Sequence, residues 1–465
     1  MRPSASTSPS TNTSTRLDDH SGDGPGAAPF GINLVGHASS NFSLSISLRH
    51  IARALVQRGV PVCIYDLTTG GMPHGPDPSL QPHCVGSLRE LPYAINLICV
   101  SVLALPVLLL RLKEQELDWN RRLNVAVVFW ELPVIPRHLV PVLGAFDVLL
   151  CGSWFVREAV AAHVPGALAL TLAYPMALPH FEREPRSTFG IPGDAFVFYF
   201  SFDPVSGPDR KNPGAVVDAF RQAFPTEHGV HLVVKLNVPA DAPQPWPPGV
   251  QRFLAQCKGD ARITVLTRTG SYAQALATCE ACCDCFVSLH RAEGLGMGPM
   301  EAMLLGKPVI MTAWSGSMSY ATASSACLVP HAFVRPDGWD APQFDAAFVG
   351  QPVQWAEPSI AAAAHWMRRV ATDAAFRSSI ASRGQQAMRA YAADAAQCSF
   401  VDDLAQMQGL KQSRAHIAPT LDVSQRRIRR ARRTNVRLHA MQFKRKVAAV
   451  VPGAWRLLRW LEVGG

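Results

Sequence analysis

Residues 286–314 read FVSLHRAEGLGMGPMEAMLLGKPVIMTAW, and this pattern narrows the possible folds more than any other feature of the chain. The apolar run 286–289 predicts a strand buried on both faces, and His290-Arg291 turns it into a loop carrying Gly294, Gly296 and Gly298. A helix is predicted next: Pro299 suits its first turn, Glu301 its positive end, and Gly306 a left-handed C-terminal cap. Residues 308–312 form the following strand. Such a unit presents backbone N–H groups and a helix dipole to an anion, and its glycines let a phosphate approach the main chain. Glu293 at the strand tip and Glu301, one turn into the helix, reach different parts of one elongated ligand. A sugar and a ribose fit that geometry.

The same alternation of apolar strands and amphipathic segments runs through the chain. INLVG from Ile32, a helix around 43–58, VPVCIYDL, AINLICV, NVAVVFW, DVLLCGS and a helix around 153–162 predict a doubly wound parallel sheet. After 185–193 the pattern restarts with AFVFYF, a helix at 213–224, HLVVKL and ITVL, then the glycine-loop stretch. The fold class is therefore α/β, with two Rossmann-like domains, 30–185 and 186–392, facing a cleft. Ligands of such sheets lie beyond the carboxyl ends of the strands. A further helix at 393–410 is expected to return to the first domain. Residues 1–29, rich in Ser, Thr, Gly, Pro and Asp and without the apolar core of a secretory signal, are expected to be disordered.

With 465 residues and 48% hydrophobic content the chain can fill two cores. The net charge of +9 belongs to one end: residues 411–465 hold 14 Lys and Arg against Asp422 and Glu462, leaving 30 basic and 33 acidic residues elsewhere. Eleven scattered cysteines, an odd number, argue for free thiols in a reducing compartment, so a cytoplasmic location is expected. Cys279, Cys282, Cys283 and Cys285 invite a zinc reading, but they cross a predicted helix end into a strand, and no second C-x2-C pair lies nearby. The uncharged run 91–110 approaches membrane-spanning length but is interrupted by Pro92, Asn96, Ser101 and Pro106. A strand at 94–100 and a helix from Pro106 account for it better.

Several motifs carry a family resemblance. Glu293 and Glu301, with the flanks HRAEG and GKPVI and with Trp314-Ser315-Gly316, resemble the E-x7-E motif of family 4 retaining glycosyltransferases, which have the GT-B fold. FWELP at 129–133, RKNP at 210–213, VVKLN at 233–237 and WAEP at 355–358 match in order, over residues 31–410. The resemblance implies that Glu301 holds the nucleotide ribose and that Glu293 lies close to the donor sugar. Arg210 and Lys211 follow the first strand of the second domain and Lys235 ends the next, so strand-end geometry lets these cations neutralise a diphosphate leaving group. Gly294, Leu295, Gly296 and Met297 are the loop positions expected against the donor. His290 and Arg291 either face the cleft or close the strand. Glu131, at a strand's carboxyl end, suits an acceptor-side or catalytic role, or a capping one.

Two departures from the family are visible. The arginine that many members carry upstream of Lys211 is replaced by the segment FDPVSGPD, and the first loop, GHASSNFSLSIS at 36–47, lacks the usual glycines. No paired-Asp motif occurs at a strand end, so the expected mechanism is metal-independent, with a nucleotide-sugar donor as substrate and no further cofactor. Positive charge then develops at the anomeric carbon as the diphosphate leaves, and the family implies retention of configuration.

In the tail, basic residues at 424–446 precede VAAVVPGAWRLLRWLEV, with Trp455 and Trp460. Arginines beside packed aromatic and aliphatic residues favour an anionic membrane surface, at the inner face, over nucleic acid. The leading function is therefore transfer of a sugar to a glycan or lipid-linked acceptor in cell-envelope polysaccharide synthesis. The alternative is a catalytically idle GT-B-fold protein that binds a nucleotide sugar or a partner.

Overall fold

The computed structural model describes residues 28–68, 75–114, 117–204, 206–238, 246–268, 270–336 and 353–414. The segments 1–29 and 411–465 lie outside the described residues except for 28–29 and 411–414, so the expected N-terminal disorder and the membrane-binding tail fall outside it.

The first domain is built on β1 (Ile32–Gly36), β2 (Val62–Asp66), β3 (Cys84–Val85), β4 (Ile95–Cys99), β5 (Leu123–Val128), β6 (Val148–Cys151) and β7 (Ala169–Thr171). They pair in the order β3-β2-β1-β4-β5-β6-β7, all parallel. Every residue of β1, β4 and β5 is buried, as a sheet covered on both faces demands. The covering helices include α1 (Ser43–Gln57), α2 (Leu105–Glu114), α3 (Val140–Leu143) and α4 (Trp154–His163). One polar seam crosses this core without leaving amides unpaired: in matched register, Asn33 donates to Asn96 and Asn96 to Asn124, each at 3.0 Å.

The second domain repeats the plan with β8 (Phe196–Phe202), β9 (Val230–Leu236), β10 (Ile263–Thr267), β11 (Cys285–Ser288), β12 (Val309–Thr312) and β13 (Cys327–Val329), in the order β10-β9-β8-β11-β12-β13. Its helices are α5 (Pro208–Lys211), α6 (Pro213–Ala223), α7 (Pro248–Cys257), α8 (Tyr272–Cys282), α9 (Met297–Leu304), α10 (Ile360–Thr372) and α11 (Ala374–Ala395). An antiparallel pair, β14 (His331–Val334) and β15 (Trp355–Pro358), is joined to this domain where the Ala356 N–H donates to the Arg291 carbonyl at 3.1 Å. Strand order reverses between β1 and β4 in one sheet and between β8 and β11 in the other. These reversals are the crevices where such sheets bind ligands.

After Cys398, in the left-handed region at φ 48°, α12 (Phe400–Arg414) returns to the first domain. Arg58 Nη2 donates to both carboxylate oxygens of Asp402, each at 2.7 Å, and Lys411 Nζ bonds the Arg122 carbonyl and Asp147 Oδ2, each at 2.6 Å. The expected boundary before Lys411 therefore falls inside a docked helix, and a clean cut comes after Arg414. The run 91–110 resolves into β4 and α2, and no helix among the described residues is long and apolar enough to cross a membrane. The cysteines are free thiols, with Cys279, Cys282, Cys283 and Cys285 buried at the α8–β11 junction.

Candidate active site

At the reversal point of the second sheet, the loops that leave β8 and β11 face each other. Asn212 adopts a left-handed conformation, φ 55°, and Pro213 starts α6 at once, which ends the short helix α5 and fixes Arg210 and Lys211 at the cleft. Arg210 is 3% exposed. Its Nη1 donates to the Ala292 carbonyl at 2.7 Å and lies 3.2 Å from Glu293 Oε2, and its Nη2 donates to the Ser206 carbonyl at 3.0 Å. Lys211 Nζ makes a close contact with Glu293 Oε1. The main chain of Glu293 is held too: its N–H donates to Ser315 Oγ, and the Gly316 N–H donates to its carbonyl, both at 2.9 Å. A Cβ on Gly316 would lie 2.0 Å from the Gly294 carbonyl oxygen, so only glycine fits after Trp314-Ser315. Burial by itself would raise the Glu293 pKa, but the Lys211 and Arg210 cations outweigh it and bring it down to about 2.

The first domain reaches the same point. Trp130, locked by a 2.8 Å bond from its indole N–H to the Val134 carbonyl, aims the next residue, Glu131, into the cleft. Glu131 Oε1 lies 3.7 Å from Arg210 Nη2. Burial pushes the pKa of Glu131 up, Arg210 opposes that, and the Glu293 carboxylate adds to it. The two glycine-loop and strand-end backbones touch directly: a Cβ on Gly294 would meet Trp130 O at 3.1 Å and Trp130 N at 3.2 Å. Ser153, which caps α4 through Val156 N–H, also donates from its hydroxyl to the Gly294 carbonyl at 2.6 Å.

The other half of the site surrounds α9. Gly296, φ 86°, sets the turn into the helix, and the sulfur of Met297 lies 3.7 Å from the hydroxyls of Ser47 and Tyr174 in the first domain. Glu301, the fifth residue of α9, is half-buried and faces Tyr272 and Lys235. Burial raises its pKa to about 7, only partly offset by the Tyr272 hydroxyl and the Lys235 cation. Lys235 is 4% exposed and is brought down to about 8 by burial against the pull of Glu301.

Two expectations need correction. Lys235 does not join Arg210 and Lys211: its ammonium bonds Asn237 Oδ1 and its charge partner is Glu301, because β9 lies one strand away from the β8–β11 crevice. His290 does not open onto the donor side either. Its Nδ1 pairs with Ser288 Oγ at 3.0 Å and its Nε2 with the Trp314 carbonyl at 3.2 Å, so it closes the strand. Arg291 likewise turns away, to Glu357 and the Asp209 carbonyl, tying the WAEP strand β15 to the loop. A separate cavity of about 740 Å³ lies at the opposite, amino-terminal edge of the second sheet. Its cations are spent on structure: Arg186 on the Ala281 and Ala195 carbonyls, Arg377 on the end of α10, Lys307 on Glu280.

The whole chain can now be set beside known proteins. It aligns, over 81% of its length and 100% of the other chain, with the Anabaena protein HepE in complex with UDP and glucose, at TM-score 0.58 and 16% identity. Sucrose-phosphate synthase from Thermosynechococcus elongatus aligns over 82% of this chain and 100% of its own, at TM-score 0.57 and 15% identity. The fold is GT-B. A third GT-B neighbour, α,α-trehalose 6-phosphate synthase from Burkholderia multivorans, covers 84% of this chain and 99% of its own at TM-score 0.52 and 13% identity. Residues 209–335 match the family described as Glycosyl transferases group 1. Those residues hold Arg210, Lys211, Lys235, Glu293 and Glu301 and therefore most of the side chains just described. No curated protein sequence matches the chain.

Sequence reasoning did not single out Tyr272 or Ser153. Each had a readable signal: Ser271 and Gln274 form a capping box that starts α8 at the carboxyl end of β10, and Ser153 follows a buried strand as the N-cap of α4. Both rules place a polar residue at the cleft edge of a sheet.

Proposed function

We propose that this protein transfers a sugar from a nucleotide-sugar donor to a glycan or lipid-linked acceptor, with retention of configuration, in polysaccharide synthesis. The observation that carries the reading is the meeting of Arg210, Lys211 and Glu293 at the β8–β11 crevice, at the mouth of the α9 amino terminus, with Glu301 and Tyr272 on the far side of that helix. This is a place for a diphosphate next to a place for a ribose. The group 1 glycosyltransferase match over 209–335 supports it. The neighbour HepE was seen with UDP and glucose, and separately with UDP-glucose.

The cations supply the chemistry. As the donor's glycosidic bond lengthens, negative charge grows on the departing diphosphate, and preorganised Arg210 and Lys211 stabilise it with no reorganisation cost at that moment. Glu293, fixed through main chain and side chain, stands where the donor sugar would lie, and Glu131 approaches from the acceptor side. Hydrolysis and transfer assayed across UDP-, ADP- and GDP-sugars is the test. Donor binding without turnover on any acceptor would favour the idle, nucleotide-sugar-binding alternative, and no binding at all would overturn the reading. Residues 415–465, with their Arg and Lys clusters beside Trp455 and Trp460, would keep the enzyme at an anionic membrane carrying its acceptor. Removing them after Arg414 should abolish co-sedimentation with anionic vesicles at low salt; equal sedimentation of both forms would refute that role.

A further inference from the structure

Two carboxylates and two cations meet at the cleft floor, and the carboxylates are not held alike. Glu293 contacts both cations, Arg210 at 3.2 Å and Lys211 more closely, and its backbone N–H is fixed by Ser315. Glu131 reaches across from the other domain to Arg210 at 3.7 Å, beyond ordinary hydrogen-bond length, with Lys211 a weaker influence, and 27% of its side chain stays open to the cleft. His290 and Tyr320 face Glu293 from the end of β11 and from the turn after β12, both in neutral form. With both carboxylates ionised, these four charges sum to zero.

That balance fails when a ligand with a diphosphate enters. Such a group adds about two to three negative charges beside Arg210 and Lys211 in a partly buried cleft, and like charges packed that closely raise one another's proton affinity. One carboxylate must give way. Resting on the donor-binding reading above, we propose that binding of a nucleoside diphosphate drives uptake of one proton from solvent by Glu131, which then donates its O–H to a phosphate oxygen. A proton leaves the buffer and joins one carboxylate oxygen; no bond of the nucleotide forms or breaks. Glu131 is the acceptor of that proton because burial and Glu293 already push it up, whereas Lys211 and Arg210 hold Glu293 at about 2. The first domain thereby carries a sensor of the diphosphate on the second.

Titration calorimetry of the full chain with UDP, in two buffers of different ionisation enthalpy at one pH, counts the protons. Uridine, which has the base and ribose without phosphate, is the control. Wild type should take up more protons with UDP than with uridine, and its UDP affinity should weaken as pH rises, by up to about tenfold per unit. Glu131→Gln cannot titrate there: it should take up fewer protons than wild type with UDP and lose that part of the pH dependence. The phosphate's own protonation is common to both proteins, so the difference between them is the readout. Should Glu131→Gln not fold, the infrared difference spectrum of wild type serves instead, with a protonated-carboxyl band appearing on addition of UDP and not of uridine. Equal proton counts in the two proteins, or no such band, overturn the inference and leave the functional reading standing. Failure of wild type to bind UDP, ADP or GDP overturns both.

Discussion

Glu293 and Glu301 are eight residues apart in sequence, the first is buried and the second half-buried, and burial pushes both in the same direction. One ends at about 2 and the other at about 7. The difference lies in what surrounds each carboxylate: Glu293 is clamped by two cations, one of them in close contact, whereas Glu301 has a phenol and one desolvated lysine. The two halves of the site are therefore prepared for different ligands. The phosphate half holds its charges ready, and the ribose half holds a poorly solvated acceptor that gains its hydrogen bonds when hydroxyls arrive.

The largest effect that would test this contrast is on turnover. Lys211→Ala removes a cation aimed at the leaving diphosphate, and turnover should fall by about 10²–10³-fold, as for loss of one preorganised electrostatic contact. Product nucleoside diphosphate should also bind more weakly. Wild-type rates in a folded Lys211→Ala variant would remove the phosphate half from the account.

Stability against pH should tilt in opposite directions for the two carboxylates. The folded pKa of Glu293 is depressed from 4.5 to about 2, so its contribution is present above pH 4.5 and is lost as pH falls towards 2. The folded pKa of Glu301 is raised from 4.5 to about 7, so its contribution is full below 4.5 and is lost as pH rises through 7. At about 1.4 kcal/mol per unit, each shift amounts to at most about 3–4 kcal/mol. Urea unfolding between pH 4 and 8 should find Glu301→Gln equal to wild type at pH 4 and more stable at pH 8, with Glu293→Gln less stable at neutral pH. Two variants that move together with pH would mean the halves do not differ as described.

Smaller effects fall on the ribose half. Glu301→Ala should weaken nucleotide-sugar binding by about 1–3 kcal/mol, the range for a lost hydrogen bond to a charged group, and an unchanged dissociation constant would remove Glu301 from the site. Tyr272→Phe should cost about 1 kcal/mol of that affinity or less. It should also raise the Glu301 pKa further, since one of its two compensating groups is gone; a binding pH profile identical to wild type would show that the phenol does not act on the carboxylate.

Much of this molecule could be read along the chain. Apolar runs place β1 at Ile32–Gly36 and put β4, β5, β8 and β9 within a residue or two of their observed ends, and their alternation with amphipathic segments specifies parallel sheets. The glycine loop, Pro299, Gly306 and the basic pair before Asn212-Pro213 are local statements about backbone conformation, and local rules found them. Position at a strand's carboxyl end also follows from the chain, so Glu131, Arg210, Lys211 and Glu293 are all expected at one cleft. The sorting of charges was not legible. Lys235 looks like a third phosphate cation along the sequence, but strand order sets it against Glu301. His290 sits in the motif yet spends both ring nitrogens inside. Ser153, the Trp130 main chain and Tyr272 enter the site from elements far apart in sequence. Conformation of a strand, turn or helix is decided within a few residues, so the sequence by itself determined the two sheets and the loops at their edges. Burial and charge pairing depend on distance through space and on what has been expelled from between the groups, and only the tertiary structure decided those.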